Sequence, residues 1–268
     1  MRIPFFQVDA FTQVRFGGNP AAVCLLSEGL PDPLLQNIAA ENNLSETAFL
    51  LPQGSGSQGA ALQYGLRWFT PTTEVDLCGH ATLASAHVLF TQVHPQAEEV
   101  VFSTRSGRLQ VRRRREQLVM DFPTQPMKPW PEALERVTAA LGVVPLELYR
   151  GGMGLAVLNS PQQVCQLQPD MAKIQALAST GLIVTAPGDE QDFVSRFFAP
   201  QLGIPEDPVT GSAHCLLIPY WARRLGKSEL TAHQVSARRG ELFCRDLGSR
   251  VEIAGQAVLV IAGEMWLE

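Results

Sequence analysis

One motif occurs twice in this chain, and the repeat limits the folds open to it more than any other feature. The first copy runs Arg67-Trp68-Phe69-Thr70-Pro71, then Asp76, then Gly79-His80-Ala81 at the head of an apolar run. The second runs Arg196-Phe197-Phe198-Ala199-Pro200, then Asp207, then Gly211-Ser212-Ala213 at the head of another. A repeat this widely spaced implies two similar lobes, each presenting a glycine turn at a helix start. Two such turns facing each other would form a site.

At 268 residues the chain can hold one large domain or two of about 130 residues each. It is 46% hydrophobic and 18% charged, which supports a sizeable core and argues against disorder. A formal net charge of −5 argues against a nucleic-acid partner. The run Arg112-Arg113-Arg114-Arg115 lies between two strand-like segments and is expected to be a solvated hairpin turn. Cys24, Cys78, Cys165, Cys215 and Cys244 are odd in number and form no CxxC pair, so a reducing compartment is expected rather than a disulfide framework. The start of the chain alternates like a strand and meets Asp9 early, unlike a signal peptide. No apolar run has the roughly 18 residues of a membrane span. A soluble cytoplasmic protein is the expectation.

Along the chain, Pro31–Asn43 has helical spacing, with Pro31 and Asp32 suited to a helix start. Gly54–Gly59 is expected to be a hairpin tip. Ala81–Phe90 is apolar on nearly every side, which predicts a buried helix. Ala213–Leu225 is a second apolar helix, with Gly226 past its end and Pro219 predicting a kink or loosened turn. Pro123, Pro126, Pro129 and Pro131 mark the best linker. The expected lobes are 1–124 and 125–268, with terminal strands free to cross between them. Each would combine strands with one peripheral and one apolar helix, an α+β class. Nothing in the order suggests repeated βαβ units with a parallel sheet.

Several residues could carry chemistry. A helix N-terminus leaves backbone N–H groups without partners and carries about half a positive charge. Gly79-His80 and Gly211-Ser212 would each present such groups to a carboxylate or enolate. Glu46 leads directly into the apolar run Thr47–Leu51, as a carboxyl at a site mouth or as an ordinary strand-start charge. A carboxyl near apolar groups can serve as general acid or base. Asp207 and Ser212 flank the second helix start, where either could simply brace a turn. His80 could donate a hydrogen bond or cap its turn, His214 follows the second turn, and His87 reads as a core histidine. The histidines have no HExxH-like spacing, so no metal is expected. Cys78 precedes the first glycine turn, where backbone amides could activate it, whereas Cys215 reads as core packing. Gly151-Gly152-Met153-Gly154 lacks a dinucleotide fingerprint and reads as a loop.

The chain resembles the PhzF family of phenazine-biosynthesis-like proteins over essentially its whole length. The resemblance rests on Phe16-Gly17-Gly18-Asn19-Pro20-Ala21-Ala22-Val23, Asn43-Leu44-Ser45-Glu46-Thr47-Ala48-Phe49 and Arg67–Pro71. It continues through Asp76–Leu83, Met120-Asp121-Phe122-Pro123 and Glu206–His214. It implies a diaminopimelate-epimerase-like fold: two pseudo-symmetric lobes, each a barrel-like, mostly antiparallel sheet around a central apolar helix, with the site in the cleft. A homodimer is usual in the family. The implied activity is a cofactor-independent isomerisation of a small carboxylated, dihydro-hydroxyanthranilate-like substrate. A glutamate matching Glu46 moves the proton, with His80 and Asp207 as further catalytic residues. Ser212, together with Asn19, Gly79 and Gly211, would bind the substrate. An amino-acid racemase or epimerase, or a binding module on the same scaffold, is the alternative. Diaminopimelate epimerase uses two opposed cysteines; here Cys78 has no second thiol to match it, which disfavours a two-thiol mechanism.

Overall fold

A computed structural model describes residues 1–54 and 61–267. Apart from Gly54, the expected hairpin tip at 54–59 lies outside the described residues. Backbone contacts divide the chain into two compact units, Met1–Asp121 with Ala254–Glu268, and Phe122–Ile253. The C-terminal segment counts with the first unit, for a reason visible in the strand pairing described below.

The first unit contains β1 (Arg2–Ala10), β2 (Asn19–Leu25), α1 (Asp32–Asn42), β3 (Glu46–Pro52), β4 (Leu62–Phe69) and β5 (Glu74–Val75). It continues with α2 (Gly79–Val88), β6 (Glu99–Thr104), β7 (Gly107–Arg114) and most of β8 (Gln117–Pro123). β1 pairs antiparallel with β2, β2 parallel with β3 across α1, and β3 antiparallel with β4. β4 pairs antiparallel with β5 and parallel with β6 across α2, and β6 pairs antiparallel with β7.

The second unit contains β9 (Lys128–Pro129), α3 (Leu134–Leu141), β10 (Glu147–Arg150), β11 (Gly154–Val157), α4 (Pro161–Gln166) and α5 (Met171–Gln175). Then come β12 (Leu182–Pro187), β13 (Phe193–Ala199), β14 (Ile204–Asp207), α6 (Gly211–Leu225), β15 (Glu229–Gln234), β16 (Gly240–Asp246) and β17 (Arg250–Gly255). Its pairing order is the same: β10 antiparallel to β11, β11 parallel to β12 across α4 and α5, and β12 antiparallel to β13. β13 is antiparallel to β14 and parallel to β15 across α6, and β15 is antiparallel to β16. The last strand, β18 (Ala257–Trp266), pairs along β1 from Arg2↔Trp266 to Ala10↔Ala257, which is why the C-terminal segment counts with the first unit.

The repeat in the sequence is therefore a repeat of topology. The expectation of no βαβ units needs correction, because each unit holds two parallel crossovers. β2 and β11 read as unbroken apolar runs because they are covered on both faces, which is the habit of parallel strands.

The motif's arginine holds each unit together in the same way. Arg67 forms a fork with Glu74, Nε to Oε1 and a terminal nitrogen to Oε2, both at 2.7 Å, and lies 5.1 Å over the Phe69 ring. Arg196 grips Glu206 at 2.7 and 2.9 Å and lies 4.7 Å over Phe198. The phenylalanine sits two residues further along the strand and so shares a face with the arginine. This pairing shifts the repeat's alignment. Trp68 faces Val75 and Phe197 faces Asp207, so the counterpart of Asp207 is Val75, and that of Asp76 is Pro208.

α2 is buried from His80 to Val88 except at His87 and packs against β1, β2, β3 and β18. It ends at Val88 and continues as a π turn over Leu89–Val93. α6 packs against β15 and β16 and closes at Gly226, whose φ of 68° suits glycine in a left-handed cap. Pro219 interrupts the hydrogen-bond ladder without ending α6. The carbonyl it cannot serve, that of Cys215, accepts the Gln125 N–H at 3.2 Å. Each unit has its own core: Ile3, Leu35, Phe49 and Phe69 in the first, Trp130, Val137, Val184 and Phe198 in the second.

Candidate active site

In the first unit, three elements bring four side chains together. Asn19 opens β2, Glu46 opens β3, and His80 is the second residue of α2, preceded by the capping residue Cys78. His80 Nε2 lies 3.2 Å from Glu46 Oε2, and Asn19 Nδ2 lies 3.1 Å from His80 Nδ1. Cys78 Sγ lies 3.5 Å from the same Nδ1. Burial pushes the His80 pKa down to about 3, so the ring is neutral near pH 7. With the Asn19 amide donating to Nδ1, the ring's one proton sits on Nε2, whose 3.2 Å approach to Glu46 Oε2 is a close contact rather than a formed hydrogen bond. The side chains of His80 and Glu46 are only 5% and 15% exposed.

Local structure explains these positions. The loop into Asn19 passes through Gly18, with φ +60°, where a Cβ would lie 2.1 Å from the Ala10 carbonyl oxygen; only glycine fits. Buried Asp9 accepts the Phe16 N–H at 2.7 Å and anchors the same loop. The parallel pairing of β2 with β3 sets Glu46 beside Ala21, two residues beyond Asn19. At the start of α2, Cys78 O accepts Thr82 N at 3.2 Å and Thr82 Oγ1 at 2.6 Å.

In the second unit, Asp207, Gly211 and Ser212 lie around the start of α6. Asp207 Oδ2 accepts the Thr210 hydroxyl at 2.5 Å. Gln234, fully buried, accepts Thr210 N–H at 2.8 Å and donates to Asp207 O at 2.8 Å and Thr210 Oγ1 at 3.0 Å. Ser236 donates to Pro208 O at 2.8 Å. His214 Nδ1 donates to Thr210 O at 2.8 Å, and burial pushes its pKa down to about 4.

The structure thus brings Asn19, Glu46 and His80 together, with Gly79 as first residue of their helix, and holds Asp207, Gly211 and Ser212 in a cluster of the second unit. Sequence reasoning missed Gln234, Ser236, Asp9 and the Cys78–His80 contact. Gln234 had one readable signal, since Leu230, Ala232 and Gln234 alternate inward on β15 and a glutamine there needs partners.

Glu46, Cys78 and His80 also offer metal-ligand atoms within 4.8 Å of one another. The thiol approaches Nδ1 while the carboxylate approaches Nε2, on opposite edges of the ring. One ring nitrogen, the thiol and a carboxylate oxygen nevertheless lie close enough together to share an ion, so the three also form a candidate ligand set. No helix among the described residues is long and apolar enough to cross a membrane.

Comparison with known proteins bears on the family and the fold. Residues 8–263 match the family described as phenazine biosynthesis-like protein. An uncharacterized isomerase of Pseudomonas aeruginosa is 51% identical over 100% of both chains. The crystal structure of a PhzF-family protein from Enterococcus faecalis superposes with a TM-score of 0.94 at 47% identity, covering 100% of each chain. A hydroxyproline epimerase from Agrobacterium vitis shares the α+β fold, with a TM-score of 0.58 at 9% identity over 98% of this chain and 92% of that one.

Proposed function

We propose, from the premise that this chain belongs to the phenazine biosynthesis-like (PhzC-PhzF) family of isomerases, that it moves a proton between two carbons of a small carboxylated substrate with Glu46 as the acid–base group. The observation that carries the reading is the Glu46–His80–Asn19 cluster, in which a mostly buried carboxylate lies 3.2 Å from a buried, neutral imidazole. Glu46 would take a proton from one carbon, leaving the electron pair delocalised into the substrate's conjugated system. It would then return that proton to another carbon, so that nothing is oxidised and no cofactor is consumed. His80, neutral, serves as a fixed hydrogen-bond donor rather than as an acid.

Asp207, Gly211 and Ser212 are proposed as ligand-facing residues of the second unit. The start of α6 offers backbone N–H groups there, and the Thr210 hydroxyl fixes the Asp207 carboxylate. A dihydro-hydroxyanthranilate-like acid is the proposed substrate class, and a homodimer the proposed assembly. A racemase or epimerase remains the second reading because Cys78 Sγ sits 3.5 Å from His80.

The test is carbon-bound proton exchange in D₂O, followed by NMR with such acids as substrates. Glu46→Gln should lower exchange by about 10²-fold or more. Full exchange in that variant would show that another group is the base.

A further inference from the structure

The arginine run has a use that a solvated turn does not explain. β7 and β8 form a hairpin with Arg114 opposite Gln117 and the turn at Arg115-Glu116. On a strand, alternate residues face opposite sides. Arg112 pairs with Glu99 at 3.3 Å, while Arg113 and Arg115 both line a cavity of about 570 Å³ within the first unit. That volume is within the ordinary range for small-molecule sites.

The cavity is built rather than incidental. Its wall includes Phe90 and Thr91, carried by the π turn that follows α2, and such turns concentrate at functional sites. Arg113 is fixed in place: it donates to Phe90 O at 2.5 Å and to Pro95 O at 3.2 Å, and lies 5.1 Å over the Phe90 ring. Arg115 takes φ +58° as the first central residue of the two-residue hairpin turn, which leaves its side chain exposed beside the cavity. Leu118, Ala257 and Val258 supply an apolar floor. His87, on α2 seven residues beyond His80, also faces the cavity and is half-buried rather than a core histidine. Two guanidiniums face one carboxylate, Glu116, which bonds Gln256 at 3.3 Å, so a single positive charge is in surplus.

We propose that this cavity binds a small monoanionic carboxylate with an apolar body, its carboxylate on Arg113 and Arg115 and its body against Ala257 and Val258, the half-buried apolar residues of the lining. The planar forks of the arginines suit a carboxylate, and Glu116 disfavours dianions. The site is distinct from Glu46 and His80, and the inference does not depend on the proton-transfer reading.

The test is calorimetric titration of the full chain with benzoate, with benzyl alcohol as the uncharged control and NMR shift mapping to locate binding. Benzoate should bind saturably, shift Thr91 and Val258, and bind at least tenfold more tightly than benzyl alcohol. Arg115→Gly should weaken benzoate at least fivefold while leaving Tm unchanged or higher, because glycine tolerates the positive φ. Arg113→Gln, which can still reach one carbonyl, should weaken it further. Absence of saturable binding would overturn the proposal. So would equal affinity for benzyl alcohol, or benzoate affinity unchanged in Arg115→Gly. Benzoate binding lost in Glu46→Gln but kept in both arginine variants would place the ligand at the proton-transfer site; that too overturns this proposal and leaves the other reading standing.

Discussion

At the start of α2 the capping residue is Cys78 and the second helical residue is His80; at the start of α6 the same places hold Thr210 and Ser212. The frames around them match closely. Both caps are extended, with φ/ψ of −144/111° and −118/100°. The fourth residue after each cap bonds back to its carbonyl, Thr82 at 2.6 Å and His214 at 2.8 Å. A hairpin serine pins each approach loop, Ser106 to Asp76 O at 2.7 Å and Ser236 to Pro208 O at 2.8 Å. The equipment differs. Phe49 pairs with Arg67 and Val184 with Arg196, so counting back three residues sets Gly181 in the place of Glu46. The second hairpin turns over at Arg150↔Gly154, where the first continues to Ala10↔Asn19, so nothing in the second unit stands for Asn19. A duplicated scaffold has kept its bracing in both copies and the Glu46–His80–Asn19 cluster in one.

The strongest way to break this comparison is to move the carboxylate. At Gly181 a Cβ would lie 2.5 Å from the Phe197 ring and 2.8 Å from the Phe198 carbonyl oxygen. The ring could shift, but the backbone carbonyl is held in the sheet. Gly181→Glu should cost about 3 kcal/mol or more, from overpacking and a carboxylate forced toward a core. Urea denaturation measures it. Glu46→Gln should stay within about 1 kcal/mol of the parent, since it keeps the side chain's shape. A Gly181→Glu protein as stable as the parent would mean that the second unit has room for an acid and that the asymmetry is not structural.

The two arginine forks are the next test. Arg196 is 13% exposed and also donates to Val164 O at 3.2 Å and Leu167 O at 3.0 Å. Among the described residues its partner Glu206 has no second cation. Arg67 is 32% exposed, and Glu74 retains Arg105 at 2.7 Å if Arg67 is lost. Arg196→Met should therefore cost about 3 kcal/mol and Arg67→Met about 1 kcal/mol. Equal losses would show that the forks are interchangeable despite their surroundings.

The repeat and the three principal helices were legible because each rests on local pattern, whereas Glu46 was open between a site carboxyl and a strand-start charge, His80 between a donor and a cap, and Asn19 became a candidate only through the family resemblance. What was not legible depends on pairing. Asp76 and Asp207 look equivalent in the sequence, but the 3₁₀ turn at Pro200–Leu202 lengthens the second loop and shifts the register, so that Glu206 answers Glu74. Gly181 carries no signal as the counterpart of Glu46 until the strands are aligned. Gln234 reaches Thr210 across 24 positions, a separation at which periodicity says nothing. The parallel crossovers were hidden because short apolar runs such as Ala21–Leu25 suit either sheet type.

Acid titration sharpens the comparison more gently. His80 and His87 in the first unit are lowered to about 3 and about 4, and His214 in the second to about 4, all from 6.5 and all by burial first, with the Arg113 charge adding at His87. A folded-state pKa below the unfolded value means that the unfolded chain binds more protons in that window. Stability should fall as pH drops from about 6.5 toward 3–4, by at most about 1.4 kcal/mol per pH unit for each fully buried histidine. Denaturation series at pH 7, 5.5 and 4.5 should show a shallower slope in His80→Asn. An unchanged slope would show that His80 is not held neutral by folding.

The smallest expected effect bears on the chemistry. If Glu46 moves the proton, Cys78 only fills the cap and touches His80 Nδ1 from the side opposite the carboxylate. Serine preserves both roles, since its hydroxyl can cap a helix and can donate to the same nitrogen. Cys78→Ser should then keep kcat/KM within about threefold of the parent. The equivalent place in the second unit already holds a hydroxyl, Thr210, which braces Asp207 at 2.5 Å, so a hydroxyl at a cap is compatible with this scaffold. A loss of about 10²-fold or more in Cys78→Ser would instead make the thiol the base. In that case Thr210 would mark the place where a second thiol was replaced, and the racemase reading would displace the isomerase one.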